Sequence, residues 1–113
     1  MKKIDFILAS ASPRRKKLLC EQGYNFKIIV PRTIELEHHH ISSTRVALEN
    51  ALAKASSVSG KNPGTLVLSA DTIVVLRGKI LGKPKTKKQA LEMLLKLNNK
   101  THEVITAYCL VIS

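Results

Sequence analysis

Short apolar runs alternate with amphipathic stretches along this chain. Ile4 to Ala9 is apolar apart from Asp5 and meets Ser10-Ala11-Ser12-Pro13, which predicts a buried strand running into a helix start. Ser12 suits the cap and Pro13 the first helical position, where a missing N–H costs nothing. Leu18 and Leu19 are expected to face inward, and Gly23 to stop the helix. Asn25 to Val30 alternates as a second strand that Pro31 ends, and residues 31–42 read as a polar loop.

Ser43 or Thr44 is placed to cap a second helix whose apolar side would hold Val46, Leu48, Ala51, Leu52 and Ala55. That helix runs out at Ser56 to Gly60, and Asn62-Pro63-Gly64 reads as a turn. Thr65 to Ala70 is apolar on both sides and predicts a covered third strand, with Asp71 directly after its end. Ile73 to Leu76, a turn at Arg77-Gly78-Lys79 and Ile80-Leu81 predict a hairpin. Thr86 can cap a third helix to Leu97, with Ala90, Met93, Leu94 and Leu97 on one face. Glu103 to Ser113 is rich in strand-forming residues. The order is that of an α/β fold. An apolar strand that ends uncovered invites aggregation, so more chain is expected after Ser113.

Composition narrows the function. The 113 residues suffice for one domain, and 44% hydrophobic with 24% charged residues is a globular balance. A net charge of +11 points to an anionic partner. No apolar run approaches the roughly 20 residues of a membrane span, so no membrane partner is expected. The basic, apolar N-terminus is broken by Asp5 and followed by Arg14 to Lys17, which reads as a strand rather than a signal peptide. Cys20 and Cys109 are too far apart and too few for a disulfide framework or a zinc site; both are expected in the core, in a reduced, cytoplasmic setting. Two Phe, two Tyr and no Trp leave little surface for stacking nucleic-acid bases, which counts against a nucleic-acid-binding protein.

Several segments could carry chemistry. Ser12 with Arg14 and Arg15 at a helix N-terminus would offer free N–H groups and forked donors to phosphate, where cations alone would oppose the helix dipole. The same basic run also reads as a solvated face. Asp71 is an acid in a basic surrounding: eight Lys or Arg and only Glu92 lie between Thr72 and His102. It could hold a divalent metal or activate water, or simply cap a turn. Lys83, between Gly82 and Pro84, could reach a phosphate, although the spacing is not that of a Walker loop. Adjacent His38-His39-His40 side chains diverge and do not make a defined metal site.

Taken together, Ile7-Leu8-Ala9-Ser10-Ala11-Ser12-Pro13-Arg14-Arg15, Glu35, Ala53-Lys54-Ala55, Ala70-Asp71-Thr72, Leu81-Gly82-Lys83-Pro84 and Lys100-Thr101-His102-Glu103-Val104-Ile105-Thr106-Ala107 resemble the Maf family of nucleoside triphosphate pyrophosphatases. The resemblance implies a mixed, twisted sheet flanked by helices, similar to that of inosine triphosphatases. It implies that residues 1–113 form a single Maf-like domain, the N-terminal part of that fold, with the second lobe incomplete. A Glu-Pro-x-Asp-Lys-Ala-Gly stretch carried by family members has no counterpart here.

The implied activity is hydrolysis of a nucleoside triphosphate to monophosphate and pyrophosphate with Mg2+ or Mn2+, a house-cleaning of nucleotide pools, often by a homodimer. Carried over by residue, Ser12, Arg14, Arg15, Lys54 and Lys83 would bind the triphosphate. Glu35 and Asp71 would flank metal and water, with Asp71 as general base. Thr72 resembles the branch acting on dTTP and UTP. The alternative expectation is a remnant that binds nucleotide or another polyanion without turning it over.

Overall fold

The computed structural model describes residues 3–33 and 41–113. Its elements are β1 (Phe6–Ala9), α1 (Pro13–Glu21), β2 (Phe26–Ile28), α2 (Ser43–Ser59), β3 (Val67–Leu76), β4 (Lys79–Leu81), α3 (Lys87–Leu97) and β5 (Glu103–Val111). The α/β order read from the chain is therefore the order observed, in one mixed five-stranded sheet.

The long strand β3 organises that sheet. Along one edge it pairs antiparallel with β5, from Val67 opposite Val111 to Val75 opposite Glu103. The other edge is shared. β1 runs parallel along Val67–Ser69, and β4 folds back antiparallel along Val74–Leu76. Ala70, Asp71, Thr72 and Ile73 lie in the gap between these two partners, where β1 has ended and β4 has not begun. Beyond β1, β2 completes the parallel side.

Alternation along β3 sends its side chains to two different environments. Ser69, Asp71, Ile73 and Val75 point to α2 and are buried. Helix α2 approaches closely because Ala47, Ala51 and Ala55, spaced four apart, face the sheet with no exposed surface. They join two apolar clusters, one with Ile7, Ala9, Val58 and Val67, the other with Ile73, Val75 and Ala107. On the opposite face Phe6 stacks on Phe26 at 5.3 Å between ring centres and meets the edge of Tyr24 at 5.7 Å. Gly23, at φ +82°, ends α1 as expected, in a conformation that would strain other residues.

The face of the sheet toward α1 is only partly covered, and several expectations change there. Leu18 is 57% exposed and α1 buries no residue fully. Cys20 is exposed on the same helix, whereas Cys109 packs against both clusters. On α2, Leu48 and Leu52 are half exposed, because the small Ala face, with Val46 and Val58, is the one that meets the sheet. Leu94 of α3 is 66% exposed, while Ala90, Met93 and Leu97 are half-buried. The cap of α2 is Ser42, one residue before the earlier of the two candidates, and its side chain accepts from the Arg45 N–H. Asp71 does not follow a strand end but sits mid-strand, because β5 continues the pairing past it.

Candidate active site

The turn after β1 brings the N-terminus of α1 to the gap in the sheet. Ser12 accepts from the Arg15 N–H at 3.3 Å as the N-cap, and its own N–H donates to Ser10 Oγ at 3.1 Å. Pro13 opens the helix. A cavity of about 370 Å3 is lined here by Ser10, Ser12, Arg15, Thr33, Lys54 and Lys83. Three cations, from α1, α2 and the segment after β4, together with the positive end of a helix, favour an anion.

Asp71 faces the other way, under α2, and is 1% exposed. Its Oδ1 accepts from Lys54 Nζ at 2.9 Å and lies 3.8 Å from Lys83 Nζ. Its Oδ2 accepts from Asn50 Nδ2 at 3.3 Å. A buried carboxylate is tolerated only when paired and hydrogen-bonded, and Lys54 and Asn50, four residues apart on one helix face, meet that need. The Lys83 side chain is 59% exposed, so this cation reaches Asp71 from the solvent side.

Thr72, next in the strand, points toward α1. Arg15 Nη2 donates to Thr72 Oγ1 at 2.8 Å, and Thr72 Oγ1 lies 2.9 Å from Thr106 Oγ1 on β5. A second cavity, of about 640 Å3, opens on this side between Arg14, Arg15, Leu18, Thr72, Thr106 and Tyr108. Ser12 and Arg15 line both cavities, so the two adjoin at these residues.

Of the residues singled out from the sequence, Ser12, Arg15, Lys54, Asp71, Thr72 and Lys83 thus converge on one gap, with Arg14 on the adjoining cavity. Glu35 lies outside the described residues, as does the histidine triplet. Among the described residues no group of three or more His, Cys, Asp or Glu gathers as a metal site. No described helix is long and apolar enough to cross a membrane. Ser10 belongs to the segment singled out at the helix start, Thr106 stands in one of the motif segments without an assigned role, and Asn50 was not foreseen. Asn50 could have been found from its spacing to Lys54; the role of Thr106 could not, because its place opposite Thr72 depends on strand register.

Comparison with known proteins identifies the family. The family model described as Maf-like protein matches residues 5–113. The chain is 47% identical over 111 residues to a dTTP/UTP pyrophosphatase of Bacillus anthracis, covering 98% of this chain and 57% of the relative. It is 47% identical over 113 residues to a dTTP/UTP pyrophosphatase of Pyrococcus furiosus, again 98% of this chain and 57% of the relative. For a protein of that name from Akkermansia muciniphila the values are 46% over 101 residues, 89% and 53%. The chain therefore spans a little over half the length of these curated relatives. The motif-bearing turn after β1, the Ala-Asp-Thr segment of β3 and the family match across both place this chain in the family of Maf-like proteins.

Proposed function

We propose that the protein acts on a pyrimidine nucleoside triphosphate, dTTP or UTP, releasing the monophosphate and pyrophosphate. The observation that carries this reading is that Arg15, Lys54 and Lys83 line one cavity at the Ser12-capped helix start, while Lys54 and Lys83 also reach the buried carboxylate of Asp71. The relatives' printed names supply the pyrimidine preference.

A triphosphate repels an attacking water until its oxygens are neutralised. Arg14, Arg15 and the helix N-terminus bind the phosphates from one side and Lys54 and Lys83 from the other. Phosphate oxygens compete with Asp71 for Lys54 and Lys83, and their arrival releases Asp71 Oδ1. The freed carboxylate takes a proton from water as that water attacks the α-phosphorus. The bond from that phosphorus to the bridging oxygen breaks, and pyrophosphate leaves with the electron pair. Cations around the leaving group stabilise the charge that builds there.

A divalent ion fits the donor set as an arrival with the substrate. Magnesium commonly binds one or two carboxylates together with substrate phosphates, and Asp71 is the carboxylate paired with Lys54 and Lys83, two of the cations that line the anion cavity. When bound, Mg2+ or Mn2+ would add Lewis-acid polarisation of the phosphoryl oxygens. Glu35 belongs to this proposal as a second carboxylate. A homodimer and a cytoplasmic setting belong to the same reading, and sedimentation of the purified protein tests the former.

The experiment is pyrophosphate release from dTTP, UTP, CTP and 7-methyl-GTP with Mg2+ or Mn2+, using Asp71→Asn as control. Turnover of dTTP and UTP that falls by about 10²–10⁴-fold in the variant is expected, the usual weight of a general base. Binding of nucleotide with no release by the unaltered protein would overturn the reading in favour of a polyanion-binding protein.

A further inference from the structure

Among the described residues, Arg15 is the one side chain that lines both cavities and also donates a hydrogen bond to a side chain of β3. Its anchor, Thr72 Oγ1, is in turn 2.9 Å from Thr106 Oγ1. Thr72 and Thr106 are directly opposed in the β3–β5 register, so both side chains rise from the same face and their hydroxyls meet without strain. We propose that Thr106 is a positioning residue for phosphate binding: through Thr72 it holds the Arg15 guanidinium at the mouth of the anion cavity. This rests on the proposed triphosphate chemistry only for the identity of the anion.

The physical case has three parts. An arginine in the first turn of a helix is repelled by the helix dipole and would swing into solvent unless something fixes it. Holding a guanidinium in place before the anion arrives removes part of the ordering cost that binding must otherwise meet. A lone threonine would be a weak anchor, since its hydroxyl can turn about χ1. Contact with a second hydroxyl on the neighbouring strand removes that freedom, whichever of the two donates. Thr106 itself is exposed and contributes nothing to either apolar cluster, so its hydroxyl is not explained by packing.

The test uses inorganic tripolyphosphate, which lacks a base, as the titrant in calorimetry, beside turnover of dTTP. Thr106→Val keeps shape and strand preference and removes the hydroxyl. It is expected to weaken tripolyphosphate binding about 3–10-fold, the size of one lost hydrogen bond, and to raise KM for dTTP by a similar factor with kcat unchanged. Thr106→Ser should restore both. In an Arg15→Met background the Thr106→Val change should add nothing further, because the group it positions is gone.

Unchanged tripolyphosphate affinity in Thr106→Val, or the same loss with and without Arg15, would overturn the proposal. Should Thr106→Val fold poorly, Thr106→Ala and Thr106→Ser give the same comparison of hydroxyl absent against hydroxyl present. A protein that shows this tripolyphosphate pattern yet hydrolyses no nucleotide would leave the relay standing and defeat the proposed activity instead.

Discussion

Lys54 Nζ lies 2.9 Å from Asp71 Oδ1, with the carboxylate 1% and the lysine side chain 13% exposed. Removing Lys54 leaves the buried carboxylate to Asn50 and the more distant Lys83, so Lys54→Met is expected to destabilise the protein by about 3 kcal/mol, the lower end for a broken buried pair. Asp71→Asn keeps the shape and leaves Lys54 a path to solvent and to an amide oxygen, so it should cost clearly less. Urea denaturation of the two variants and of the double variant measures this, and the double variant should recover part of the Lys54→Met loss.

Ser12→Ala removes the cap that accepts from the Arg15 N–H. Helix caps of this kind contribute about 1 kcal/mol. The loss should appear as a lower urea midpoint together with weaker phosphate binding, since the same residue lines the anion cavity.

The β3–β4 hairpin turns through Arg77 and Gly78, both at positive φ, +51° and +76°. A two-residue turn of this kind suits the twist of the strands, but Arg77 has a side chain that resists it. Arg77→Asn should raise stability by roughly 0.5–1 kcal/mol, asparagine tolerating this region better. A thermal melt reads the gain.

Burial raises the pKa of the Cys109 thiol above its usual value, so its reactive thiolate form is scarcer at neutral pH. Cys20 is exposed on α1. A disulfide reagent at neutral pH is therefore expected to modify one thiol quickly and the second slowly, and Cys20→Ser should remove the fast phase. The sign for stability follows: a thiol raised in the folded state favours folding below its ordinary pKa, and that contribution is lost as pH rises through the folded value.

Elements with local punctuation were readable from the chain. Ser12 and Pro13 marked the start of α1, Gly23 its end, and Thr86 the start of α3. What depended on packing was not. Alanines and leucines on α2 both repeat at helical spacing, and the alanine side faces inward because close approach to the sheet excludes bulk. Asp71 looked like a strand terminus because acids are rare inside buried strands; Lys54 and Asn50 make it tolerable mid-strand. The cations that line the cavity beside α1 were legible as types at motif positions. The link from Arg15 to Thr106 was not, since it crosses two strands whose register no local pattern encodes.

Adjacent residues of β3 serve different neighbourhoods: Asp71 meets α2, and Thr72 meets Arg15 and β5. The consequence concerns how such a chain can vary through descent. Point changes around the gap can accumulate singly, each judged on its own side of the sheet. Gain or loss of one codon within the strand exchanges the two sides at a stroke, placing an acid where a hydroxyl must anchor Arg15 and a hydroxyl where Lys54 needs a counter-ion. Length variation in descendants should therefore collect in the loops flanking β3, while the strand keeps its parity.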